Sequence, residues 1–395
     1  MALIIEEKVL NGKLRLKLAL ATIVTAASTN ILWVYLILYA KSLEASKIEI
    51  SAITSISSLF LMTSPIWGYL SDKYGYSKVV SLGQLLILLS SIIVLLSHDV
   101  KTLLFSRSII GLGLAMFIPS MLSLMSSTES RRSLYVGVYS ASQSTGWAVG
   151  LIIGGFIAKQ YSIIHSFYLS FILALIGAFT LKLTIKGVSI SSRKSVISGD
   201  SDVLLSRSFL FLSIASFFRD GSILGAYSLL PVFLKGLGAS EDQIGMVLAV
   251  NTVAQIFLML FIGKLSELIS EEVVLLIGIA GTCTVIFLYS IVNSVIEIIP
   301  IQLLLAISFS SFYISSRSIA SKLAPKSVGA ALGTLTLCRN AGGTLMPLLA
   351  GIVWNLYGTR IVFEFLSLIC LIGLFNALAF VFLTKSLSLS NSSHE

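Results

Sequence analysis

The chain has 395 residues, 56% of them hydrophobic and 11% charged, with a mean hydropathy of +0.97 and a formal net charge of +9. Soluble globular proteins carry roughly a quarter of their residues as Asp, Glu, Lys and Arg, so this composition excludes a water-soluble fold and makes the lipid bilayer the chain's solvent. The positive charge is scattered over short connections rather than gathered in a patch, which argues against nucleic acid as a partner and reads as a topology signal.

Apolar stretches of about 20 residues, the length that crosses a bilayer, fall near 17–40, 50–71, 79–97, 102–126, 134–158 and 163–184, then 208–234, 243–263, 273–292, 297–320, 328–354 and 361–384. The expectation is an all-α integral membrane protein with twelve transmembrane helices. The first apolar stretch runs into a charged turn with no small-residue cleavage site, so no cleavable signal peptide is expected. The one long polar connection, rich in Ser and carrying Arg193, Lys194, Asp200 and Asp202, divides the chain into bundles at 1–184 and 208–395 joined by a linker at 185–207. Alternate connections hold most of the Lys and Arg, among them Lys73, Lys78, Arg131, Arg132, Lys182, Lys264 and Lys322. The positive-inside rule then puts both termini in the cytoplasm of a cell-membrane protein.

Catalytic chemistry is not expected. Cys283, Cys338 and Cys370 sit inside apolar runs at no metal-ligand spacing, and His98, His165 and His394 fall in loops or tails. No metal-binding, nucleophile-elbow or phosphate-loop motif occurs, so no metal, cofactor or ATP-driven step is expected.

The sequence repeats itself. Lys41 begins K-S-L-E-A-S, and 194 residues later Lys235 begins K-G-L-G-A-S. Gly68-Tyr-Leu-Ser-Asp72 returns at an offset of 195 as Gly263-Lys-Leu-Ser-Glu267. At an offset of 196, Gly137, Gly146, Gly155, Tyr161 and Phe167 meet Gly333, Gly342, Gly351, Tyr357 and Phe363. Six spans return the chain to its starting side, so the halves are parallel copies.

Three motifs carry a family resemblance. Gly68-Tyr-Leu-Ser-Asp72-Lys73-Tyr-Gly75 resembles the turn between the second and third helices of the major facilitator superfamily, with Tyr76 and Ser77 where the family shows further basic residues. Gly75 suits a tight turn, and Asp72 is placed to bond free amides at a helix N-terminus. In the fourth span, Arg107-Ser-Ile-Ile-Gly111-Leu-Gly113-Leu-Ala115 is similar to a family signature whose arginine is associated with proton coupling, and the resemblance gives Arg107 that role. In the fifth, Gly137, Gly146, Gly150, Gly154 and Gly155 match the spacing typical of the family's antiporters, with Leu151 where a proline is usual; the second-half copy keeps its proline at Pro347. Simple glycine packing is the alternative reading of that spacing. The resemblance implies a twelve-helix carrier in two six-helix bundles. It moves a small solute by alternating access, with proton-coupled efflux first and organic-anion or metabolite import second; a non-transporting membrane sensor comes third. It implies the lipid bilayer, a small-molecule substrate and protons as partners, and a functional monomer.

Asp220 is the one carboxylate deep in the membrane, about 20 Å from either edge of its span at 1.5 Å per residue. A carboxylate in lipid is costly to ionise unless an arginine pairs with it, so Asp220 is a candidate protonation switch. Adjacent helical residues diverge by about 100°, which leaves Arg219 and Arg339 as equal candidates for its partner. Arg317, close to Lys322, is expected to snorkel to the cytoplasm. The family's cavity is lined by the first and fourth helices of each half. That puts Asn30, Trp33, Tyr35, Tyr227 and Tyr313 first as substrate contacts, with interhelical packing the alternative for each.

Overall fold

A computed structural model describes residues 12–125, 132–185, 206–325 and 328–392. Among these, every regular element is an α-helix: α1 (Gly12–Ser42), α2 (Lys47–Leu61), α3 (Ser64–Tyr74), α4 (Tyr76–Leu95), α5 (Val100–Met125), α6 (Arg132–Gln160), α7 (Ile163–Ile185), α8 (Arg207–Gly236), α9 (Glu241–Leu268), α10 (Glu271–Ile291), α11 (Ile298–Leu323), α12 (Val328–Tyr357) and α13 (Thr359–Ser392). Most of the expected linker, 186–205, and the side chain of Glu267 lie outside the described residues. Helices dominate because lipid offers no hydrogen bonds, so a spanning segment must satisfy its backbone internally.

Ten spans among the described residues are long and apolar enough to cross a membrane. The two expected spans that do not meet that measure form α6 and α12, which at 29 and 30 residues are long enough to cross. Their hydropathy is lowered by glycine and polar residues that face other helices. The second expected span is not continuous. Pro65 has no N–H to offer the Leu61 carbonyl four residues back, so the helix breaks into α2 and α3 and the Ser64 hydroxyl donates to that carbonyl at 2.6 Å. Three connections use glycine at positive φ, where a side chain would be strained: Gly75 (φ 99°), Gly238 (φ 89°) and Gly358 (φ 88°). Asp99, ahead of α5, accepts the Thr102 amide at 2.7 Å, and that bond holds its carboxyl below the usual acid range.

Close packing groups the chain into two compact units. The first comprises Met1–Leu43, Phe60–Ser195 and Glu241–Ala249. In it α1 is the hub, packed on α6 and α7. A Cβ on Gly146 would collide with the Ile23 carbonyl, and one on Gly150 with the Ala27 carbonyl. Hydrogen bonds tie α1 to α4 and α7: Thr25 Oγ1 donates to Gln84 Oε1 at 2.9 Å, Gln84 Nε2 to the Ala174 carbonyl at 3.0 Å, and Ser28 to the Ser170 carbonyl at 2.8 Å. Gly83 and Gly113 bring α4 and α5 together, each with the other's carbonyl within 2.9 Å of where a Cβ would stand.

The second unit comprises Glu44–Leu59, Val196–Ser240 and Val250–Glu395. Here α8 takes the central place. A Cβ on Gly342 of α12 would strike the Phe217 carbonyl, as its repeat partner Gly146 would strike Ile23. Gly373 of α13, the repeat partner of Gly177, lies 3.3 Å from the Arg219 amide by the same construction.

Overpacking a close helix contact costs about 1–3 kcal/mol. Gly150→Val should lower the thermal unfolding midpoint of the detergent-purified protein clearly. Gly137→Ala, where nothing lies within 4 Å, should leave it almost unchanged. The two transitions compared side by side are the check.

Candidate functional site

The second unit holds an ion pair on α8 itself. Arg219 Nη1 donates to Asp220 Oδ1 at 2.7 Å, with Arg219 fully buried and Asp220 5% exposed. The long arginine side chain folds back far enough to reach its shorter neighbour, which the divergence of successive helical positions does not suggest. Arg219 Nε donates to Thr282 Oγ1 of α10 at 3.0 Å, and the guanidinium lies 4.5 Å over the Phe312 ring. Its Nη2 has no hydrogen-bond acceptor among the described residues. The helix is held from behind. A Cβ on Gly221 would meet Met346 at 2.7 Å and the Gly342 carbonyl at 2.9 Å, and Gly225 faces Leu366 at 3.2 Å. With those faces closed by α12 and α13, Arg219 turns toward α10 and α11.

Helices α8, α11 and α12 line a small, partly open pocket against this pair. Arg317 and Arg339 line it with Arg219 and Asp220. Contrary to the snorkelling expectation, Arg317 lays its guanidinium 3.5 Å over the Tyr313 ring one turn back on α11. Tyr313 in turn stacks on Phe309, with centroids 5.5 Å apart. Arg339 shares the pocket but is not the partner of Asp220; that place belongs to Arg219. Three guanidinium groups against one carboxylate leave the walls with excess positive charge.

The other expected residues are spread over both units. In the first unit Arg107 is 2% exposed and sits 5.4 Å over the Trp33 ring, held inside the span. Asn30 donates to the Trp147 carbonyl at 3.0 Å and Tyr35 to the Leu151 carbonyl at 2.7 Å, so both bind α1 to α6 at the level of the antiporter-like glycines. Tyr35 is fully buried there, and Gly154 and Gly155 leave room for its ring and hydroxyl. In the second unit Tyr227 donates to Gln302 at 2.9 Å and accepts from Asn251 at 3.2 Å. The Asp72 carboxylate does not bond free amides at the start of α4, where Gly75 is the cap with no side-chain bond. It accepts from the Tyr76 hydroxyl at 2.6 Å, the residue standing where the family has a base. Lys73 is exposed, 5.3 Å over the Tyr74 ring, and Gly68 has only Pro119 near it, at 3.9 Å from a built Cβ.

Sequence reasoning missed Thr282, Phe309 and Phe312, for which no local pattern gave a signal, and misread Arg317. Tyr313 stands four residues before Arg317, a spacing that puts both on one helix face and could have predicted their stacking.

Comparison with known proteins agrees with this fold. The sequence model of the Major Facilitator Superfamily matches residues 18–218 and 210–395. "Multidrug resistance protein 2" of Bacillus subtilis is 25% identical over 80% of this chain and 81% of its own length. "Quinolone resistance protein NorB" of Staphylococcus aureus is 30% identical over 60% of this chain, a stretch that spans 51% of that longer protein. Among solved structures, the nucleoside transporter NupG superposes with a TM-score of 0.78 at 14% identity, covering 93% of this chain and 99% of that one. A bacterial homologue of the human lysosomal transporter Spinster gives 0.77 at 14%, covering 95% and 98%. At that identity the structural likeness speaks for the fold alone.

Removing one partner of a buried ion pair costs about 3–5 kcal/mol, whereas replacing both with apolar residues costs far less. Arg219→Met alone should therefore destabilise the purified protein more than the double variant Arg219→Met with Asp220→Leu. Thermal unfolding of the two variants decides it, and additive losses would show that the pair is not coupled.

Proposed function

We propose a function on one premise: the chain belongs to the major facilitator superfamily, whose members are multi-pass membrane transporters of small solutes and not enzymes. The chain is a secondary active carrier that moves a small amphipathic solute out of the cell by alternating access, with a proton exchanged at Asp220. The Arg219–Asp220 pair in the pocket wall carries this reading, because an ionisable pair deep in lipid is costly and is kept where it does work. The drug-resistance proteins among the relatives, each named for its own activity, support the outward direction.

The moving bodies are the bundles at residues 1–184 and 208–395, joined by the 185–207 linker. The carrier works as a monomer in the cell membrane with both termini in the cytoplasm. Protonation of Asp220 releases Arg219 from its 2.7 Å partner and biases one access state over the other. Arg107, over Trp33 in the first unit, tunes that proton. The Asp72–Tyr76 bond fixes the α3–α4 turn in one of the two states.

A second reading, an organic-anion carrier, is favoured by one observation. Arg317 and Arg339 line the same pocket with no carboxylate in ion-pairing distance among the described residues.

Proteoliposomes with an imposed pH gradient test the coupling. One pH unit stores about 1.4 kcal/mol, enough for about tenfold accumulation at one proton per solute. Under exchange, an acid interior drives uptake of a screened lipophilic solute and the lumen loses protons. Asp220→Asn, which keeps an acceptor for Arg219, should abolish that gradient dependence in the protein that is recovered and reconstituted; unchanged gradient-driven flux removes Asp220 from the coupling step.

A further inference from the structure

The pocket's arginines and its aromatic rings share one wall, with Arg219 over Phe312 and Arg317 over Tyr313, and together they specify a ligand. The charged part is cationic. Arg219 is already paired with Asp220 and Thr282, yet its Nη2 faces no acceptor although the residue is fully buried. Arg317 rests on the face of Tyr313, and neither it nor Arg339 has a carboxylate in ion-pairing distance among the described residues. Cations without a counter-charge inside a membrane span carry a standing penalty, which an arriving anion removes. The remaining wall is mostly apolar, with Phe309 stacked on Tyr313 and Leu332 and Leu335 beside them, and carries three hydroxyls, of Ser216, Ser316 and Thr336.

The pocket is partly open, so a polar head can sit among the guanidinium groups while the rest of a ligand extends toward the opening. A carboxylate fits this geometry better than an ammonium, which the three guanidinium groups repel, and better than a sugar, which leaves them unmatched. Guanidinium groups also hold carboxylates through paired, charge-assisted hydrogen bonds.

We propose that this pocket binds an aromatic carboxylate, its carboxyl group on Arg317, Arg339 and the free Nη2 of Arg219, its ring against Phe309 and Leu335. The proposal rests on the carrier reading and develops its organic-anion form. Asp220 then competes with the solute for Arg219, holding that arginine in the empty carrier and yielding it in the loaded one. The repeat strengthens the assignment. In the first unit the matching corner, beside Gly177, is the neutral Thr25–Gln84 pair, so this charge belongs to the second half alone.

The experiment is direct binding to the purified full chain in lipid nanodiscs, using naphthalene-2-carboxylate and its neutral isostere naphthalene-2-carboxamide. The carboxylate should bind at least about tenfold tighter, the discrimination expected of charged hydrogen bonds. Arg317→Gln and Arg339→Gln should each remove most of that preference, whereas Lys322→Gln, at the exposed end of α11, should not. Equal affinity for acid and amide in the wild-type protein overturns the proposal without reference to any variant, as does a preference unchanged in both arginine variants. Binding is read without transport, so the two readings fail separately. Lost anion preference with solute flux intact sinks the pocket assignment alone, and absent flux with the preference intact sinks the carrier.

Discussion

Inside a bilayer a polar group can turn only to the protein for a partner, and most of this structure is the consequence of that constraint. It explains why the described elements are helices and why side-chain hydroxyls so often return to their own helix, as Ser216 does to Leu212 at 2.9 Å. It also explains why the few long-range polar contacts fall at helix junctions. Gln84 joins α1, α4 and α7 by bonding to Thr25 and to the Ala174 carbonyl. Arg219 does the equivalent for α8 and α10, but with a full charge that also requires Asp220.

The duplicated halves make that difference meaningful. The same glycine spacing brings α6 onto α1 and α12 onto α8, with Gly146 and Gly342 at matching places against carbonyls of the helix they meet. Packing has been retained in both copies while polarity has diverged. One copy closes its hub with neutral amide and hydroxyl groups, and the other places three arginines, one aspartate and three aromatic rings around a pocket.

The fold was legible because lipid imposes long apolar runs, and the offset of about 195 residues exposed the duplication before any coordinates. The site was legible only in part. Asp220, Arg219 and Arg339 announce themselves as charges in apolar sequence, but which pair forms depends on side-chain reach, and a helical wheel assigns only starting directions. Arg317 was misread because closeness to Lys322 looked like an edge position, when the ring of Tyr313 offered a nearer partner. The Pro65 break was visible as a proline yet not as two helices, since nothing local says whether such a helix bends or ends. Tyr76 looked like a departure from the family's turn, and its hydroxyl proves to hold the acid of that turn.

The central claim is that the pocket around Arg219 and Asp220 opens in turn to the two sides of the membrane. Ser316, which lines it, can be replaced with cysteine in a background where Cys338 is serine, leaving only the buried Cys283 and Cys370. Sealed vesicles of each orientation are then treated with a membrane-impermeant thiol reagent. The account predicts labelling of Ser316→Cys from both sides, in a ratio that shifts with the pH gradient. Labelling from one side only, unaltered by any gradient, would contradict it.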